Sequence, residues 1–121
     1  MARPPLPEDH LPLAPDALFI MLALAAQPLH GYGIIRDVEE RSEGRVLLQT
    51  GALYRTLRRL LTDGLIQECV RPPGVDSPDD RRRYYQPTAF GRAVVGAEVE
   101  RMARLVRAAR LTAGGKRPRL A

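Results

Sequence analysis

The side chains of this sequence best equipped for chemistry are arginines. Arg55, Arg58 and Arg59 recur three and four residues apart, and Arg81, Arg82 and Arg83 run consecutively. A guanidinium is permanently charged and offers a planar fork of donors matched to phosphate, so two such groups point to a polyanionic ligand. Gln49, Thr50, Gly51 and Tyr54 stand around the start of the first group. Their amide, hydroxyl and exposed backbone groups are of the kinds that reach phosphate oxygens or base edges. Groups for catalysis are scarce. His10, His30 and Cys69 fall in separate segments, so no nucleophile and base form a local constellation, and no His or Cys pair has metal-ligand spacing. Gly31-x-Gly33 lacks the remaining glycine and the preceding strand of a dinucleotide fingerprint. The expectation is a protein that is not an enzyme, with no metal and no cofactor.

Arginines can meet a ligand only if something holds them outward. On a helical wheel Leu53, Leu57, Leu60 and Leu61 share one side, and Arg55, Arg58, Arg59 and Thr62 gather on the other. The reading is a helix capped by Thr50 and ended by Gly64. Its cationic face is either a ligand face or a solvated surface. A helix entered at Asp16 and closed by Pro28 precedes it, apolar on every side. Cover for it comes from central placement or from a second subunit, through Leu18 and Leu22. A second helix follows His30-Gly31 through Ile34, Ile35 and Val38 to Gly44, and Val46-Leu47-Leu48 is expected as one small strand.

Beyond Gly64 the run from Leu65 to Arg71 reads as a strand, then a stretch rich in Pro, Gly and Asp as a turn, then Arg81 to Tyr85 as the returning strand. Asp76, Asp79 and Asp80 at the tip leave two roles open for Arg81 to Arg83: phosphate contact, or pairing with those acids. The last helix starts at Thr88 and reaches about Leu111, roughly 36 Å at 1.5 Å per residue. Val95, Val99, Met102, Val106, Ala109 and Ala113 follow four-three spacing along it, the seam of helices that pair lengthwise. The alternative is that this stripe covers the chain's own core.

The whole is 121 residues, with 45% hydrophobic and 27% charged side chains, which suits one small globular unit and excludes wholesale disorder. A net charge of +5 favours nucleic acid or an anionic surface as partner. Cys69 is the only cysteine, so no internal disulfide forms. The longest apolar run, Ala17 to Ala26, is about half of what a bilayer requires, and with no signal-peptide core at the start the expectation is a cytoplasmic protein without a membrane partner.

The element order gives a mainly α fold with a small β-hairpin, a winged helix-turn-helix plus a long C-terminal dimerisation helix. Residues 1–12 are expected as a Pro-rich extended arm, 13–87 as the winged unit, 88–113 as the dimerisation helix and 114–121 as a basic flexible tail. In such a fold the third helix enters the DNA major groove and the hairpin touches the flanking backbone.

Three stretches, in order, carry a family likeness: His30-Gly31-Tyr32-Gly33-Ile34; Gly51-Ala52-Leu53-Tyr54-Arg55-Thr56-Leu57-Arg58-Arg59-Leu60 with Gly64-Leu65-Ile66; and Arg82-Arg83-Tyr84-Tyr85-Gln86-Pro87-Thr88-Ala89-Phe90-Gly91. With these the sequence resembles the PadR-type winged-helix transcriptional regulators, in particular their short subgroup with a single C-terminal helix. The resemblance implies a homodimeric repressor bound to double-stranded DNA. It places Gln49, Thr50, Gly51 and Tyr54 at the DNA face, and Arg82, Arg83 and Tyr84 in or beside the wing. Tyr54 borders the apolar side of its helix, so packing of its ring is the alternative. Drug-binding relatives stack planar aromatics on a tryptophan of the last helix, and this sequence contains none. The alternative to a DNA-binding regulator is a winged-helix module that binds a protein or an effector without gripping DNA. The operator and any small-molecule effector are not specified by the sequence.

Overall fold

Pro15 opens the first helix, α1 (Pro15–Ala26), in the first turn, where a missing N–H forfeits no intrahelical hydrogen bond. The computed structural model describes residues 4–72 and 82–114. Ala14, not the expected Asp16, is the N-cap, and Asp16 lies in the first turn. A strand β1 (Leu29–His30) leads directly into α2 (Gly31–Arg41), and α3 (Thr50–Thr62) follows. The wing is β2 (Ile66–Cys69) and β3 (Tyr84–Pro87), and α4 (Ala89–Ala109) continues into a π-helical turn, Arg110–Gly114. The three strands form one antiparallel sheet in the order β1-β3-β2, with Leu29 opposite Tyr85 and Cys69 opposite Tyr84.

The core is made where these elements meet. Ile20, Met21 and Leu24 of α1, Ile34 and Val38 of α2, Leu53 and Leu57 of α3, Leu65 and Val94 are buried together. Central placement therefore covers much of α1, while Leu18 and Leu22 remain partly exposed. One side chain joins the exit of α3 to the entry of α4. Thr88 Oγ1 donates to Gly64 O at 2.6 Å and accepts from Gly91 N at 2.9 Å, capping α4 as expected. Gly64 itself has φ +76°, a conformation glycine adopts without strain. Gly91 is required for a different reason: a Cβ there would lie 1.9 Å from Leu65 O.

Several expectations need correction. Val46-Leu47-Leu48 is not a strand. Val46 N is held by Ser42 Oγ at 2.9 Å, and the free edge of β3 is taken by Leu29–His30 instead. Gln49 rather than Thr50 is the N-cap of α3. The returning strand begins at Tyr84, with Arg82 and Arg83 ahead of it. The arm is not extended throughout: Pro7–His10 forms a 3-10 turn, closed by Asp9 N to Leu6 O at 3.0 Å and by Leu6 N to Asp9 Oδ2 at 2.9 Å. Proline heads that turn, where it forfeits no hydrogen bond. The acidic wing tip, Arg81 and the basic tail from 115 onward lie outside the described residues.

Candidate nucleic-acid interface

Helix α3 divides as its leucines require. Leu53, Leu57 and Leu60 are buried, and Arg55, Arg58 and Arg59 are exposed, as are Gln49, Thr50 and Gly51 at its entry. None of the three arginines takes part in an ion pair among the described residues; the pairs there are Arg41–Asp37, Arg83–Glu68 and Arg101–Glu98. Arg55 lies back along its own first turn, its Nη1 3.6 Å from where a Gly51 Cβ would be. Arg59 borders a second cleft with Thr56 and Asp63, against the N-terminal arm.

Tyr54 is partly packed and partly accessible. Its hydroxyl lies against Gly31, 2.7 Å from the position a Cβ would take, while the residue stays 47% exposed. Below it opens a cleft of about 460 Å³ lined by His30, Tyr32, Tyr54, Arg82, Arg83 and Tyr85. The fold thus brings residues from α2, α3 and the wing base to one place. Arg83 reaches Glu68 across the ladder at 3.4 Å, and both side chains are at least half exposed. A pair of that kind contributes about 0–1 kcal/mol, so it can exchange for another anion readily.

Tyr84 does not belong to this surface. It is 3% exposed, its ring lies edge-on to His30 at 5.3 Å, and its hydroxyl has no hydrogen-bond partner among the described residues. Both Tyr84 and Tyr85 are buried, because this strand is covered on its two faces. The resemblance placed Tyr84 in or beside the wing, and burial on both faces of β3 takes its side chain away from the surface.

Three neighbours of the site were not singled out as interface residues from the sequence. His30 caps α2 through Nδ1, which accepts from Gly33 N at 3.1 Å, and burial together with the Arg82 guanidinium pushes its pKa down. Tyr32 stacks against His30 with ring centres 6.5 Å apart, and Arg36 sits over the Tyr32 ring at 5.9 Å. The His-Gly-Tyr motif was the available signal. Cys69 lies in β2, where burial raises its thiol pKa and disfavours the thiolate.

Helix α4 presents a separate apolar surface. Its buried positions are Gly91, Val94 and Glu98, whereas Val99, Met102 and Val106 are 47%, 40% and 48% exposed, and Ala109 is exposed too. Val95 differs, being partly buried against the chain's own core. Leu105 and Leu111 add exposed apolar surface that the four-three spacing did not include. Glu98 is the unexpected member: it accepts from Leu13 N at 2.7 Å and from Arg101 Nε, fastening the arm to α4. The Arg101 hydrogen bond, aided by the Leu13 amide, holds its carboxyl below the ordinary value against the opposing effect of burial.

Three helices with the third displayed, followed by a hairpin with arginines at its base, define a winged helix-turn-helix protein. The profile of the PadR-like family of transcriptional regulators matches residues 20–97. The chain belongs to that family. Among solved structures it is similar to a PadR family transcription regulator from Clostridium difficile R20291, at 24% identity and TM-score 0.68, with 81% of this chain and 97% of that one covered. A PadR-like transcription factor from Bacteroides fragilis aligns at 27% identity and TM-score 0.63, covering 80% and 88%. RosR from H. salinarum aligns at 24% and 0.63, covering 80% of each. No curated protein sequence matches the chain. Among the described residues, no helix is long and apolar enough to cross a membrane.

Proposed function

We propose that this chain is a cytoplasmic, homodimeric, sequence-specific DNA-binding repressor that occupies a palindromic operator. The observation that carries the reading is the outward cationic face of α3, where three leucines hold the helix to the body and leave Arg55, Arg58 and Arg59 exposed. Each guanidinium that meets a phosphate releases counterions from the duplex, so the face supplies affinity without base selection. Selection falls to Gln49, Thr50 and Gly51 at the helix entry, with Tyr54, Arg82 and Arg83 on flanking phosphates. Residues 13–87 form the DNA-binding unit in this proposal, and 88–113 pair the subunits through Val99, Met102, Val106 and Ala109. Val95, Leu18 and Leu22 border that seam. Two-fold symmetry then requires two half-sites about one helical turn apart, and occupation of such a site obstructs transcription. Fluorescence anisotropy with the DNA upstream of its own gene tests the reading. Binding well above that to scrambled DNA, with Gln49→Ala and Thr50→Ala shifting sequence preference, supports it. Equal weak binding to every duplex, or none, favours a protein-interaction or effector-sensing module instead.

A further inference from the structure

The cleft beneath Tyr54 holds two donors for which the described residues supply no acceptor. His30 Nδ1 accepts the Gly33 N–H. A backbone amide can only donate, so Nδ1 carries the lone pair and the proton of the neutral ring sits on Nε2. That nitrogen lies 3.2 Å from Arg82 Nη1, which has only hydrogens to offer. Two donors therefore stand at hydrogen-bond distance with no acceptor between them. Protonating the ring offers no relief, because a proton on Nδ1 breaks the cap of α2 and sets a second cation beside Arg82. Burial and Arg82 both oppose that charge and lower the pKa of the ring.

Both residues line the cleft of about 460 Å³, as do Tyr54 and Arg83. The occupant this demands is an anion rich in lone pairs and without protons of its own. We propose that His30 Nε2–H and Arg82 Nη1–H together clasp one backbone phosphate of duplex DNA, seating the wing base against the strand that α3 reads. The inference rests on the DNA-binding function proposed above. It assigns His30 a role beyond capping, and it makes Arg82 a fixed contact instead of a loose surface charge. A phosphodiester oxygen fits because two convergent donors match its lone pairs, and neighbouring Arg83 and Tyr54 add donors for a second oxygen.

The test uses the full chain, a mixed-sequence duplex and anisotropy across a salt series. Arg82→Ala removes a charge and should flatten the log-log salt slope by about 0.9. His30→Asn changes no charge and keeps a strong N-cap, but its shorter amide cannot reach the Arg82 position. Binding should weaken about tenfold at fixed salt, the scale of one charge-assisted hydrogen bond. The double variant should bind no more weakly than Arg82→Ala alone, because both residues serve one phosphate. In the wild type, the His30 ring Nε2–H resonance should shift when the duplex is added. Additive losses, a His30→Asn chain that binds like wild type, or an unmoved resonance overturns the clasp. If Arg55, Arg58 and Arg59 substitutions still weaken binding in that case, the DNA-binding reading stands without it. A wild-type chain that binds no duplex overturns both.

Discussion

Replacing Val99 and Val106 by aspartate should separate the subunits while leaving the fold intact. The two valines lie one and eight residues beyond Glu98, the last buried position of α4, and are 47% and 48% exposed in the single chain, so roughly half of each side chain remains to be covered by a partner. Full burial of a valine contributes about 1.5–3 kcal/mol, so each half contributes about 1 kcal/mol. Two-fold symmetry doubles every such term, giving about 4 kcal/mol for the pair of positions, or close to a thousand-fold in the dissociation constant. The unpaired carboxylates add a desolvation penalty in the same direction. Light scattering coupled to size exclusion should report a dimer for the wild type and a monomer for the double variant. Circular dichroism should show helix content retained, since neither valine contributes to the chain's own buried core. A double variant that stays dimeric at the same concentrations refutes the α4 seam. A wild type that is monomeric at high concentration refutes the dimer itself.

Three further outcomes follow from the geometry. Gly91→Ala should destabilise by about 2–4 kcal/mol in urea melts, because its Cβ would meet the Leu65 carbonyl, whereas Gly96→Ala, with open space around it, should stabilise by roughly 0.5–1 kcal/mol; equal effects would contradict the close approach. Tyr84→Phe removes a buried hydroxyl that lacks a partner among the described residues, so stability should hold or rise by up to about 1 kcal/mol and DNA affinity should not change, and a loss of affinity would return Tyr84 to the interface. Glu98 has a depressed folded pKa, so its ionised form stabilises the fold above the ordinary glutamate value and loses that contribution as pH falls through the folded one. The stability gap between wild type and Glu98→Gln should therefore be widest near neutrality and close in acid; a gap that widens on acidification contradicts the Leu13–Glu98–Arg101 linkage.

The helices were legible because burial follows spacing. Leu53, Leu57 and Leu60 recur on one side of α3, and the structure buries all three and exposes the intervening arginines. Strand β1 was not legible, since two residues carry no period and the pairing of Leu29 with Tyr85 joins segments far apart in sequence. Long-range contacts also hid the two most informative polar groups. A glutamate on a helix reads as solvent-facing, and Glu98 is buried only because the arm returns to place Leu13 against it. His30 reads as a helix-start residue, and the approach of Arg82, 52 positions later, is a product of the sheet. Tyr84 was placed by its motif alone, which carries no information on burial, and this strand is covered on both faces at that position.

The central claim is that the displayed arginines of α3 meet DNA phosphates. It is tested most directly by the salt dependence of duplex binding for the triple variant Arg55→Gln, Arg58→Gln, Arg59→Gln. Three lost phosphate contacts should flatten the log-log slope by about 2.7. A triple variant whose slope equals that of the wild type would contradict the account.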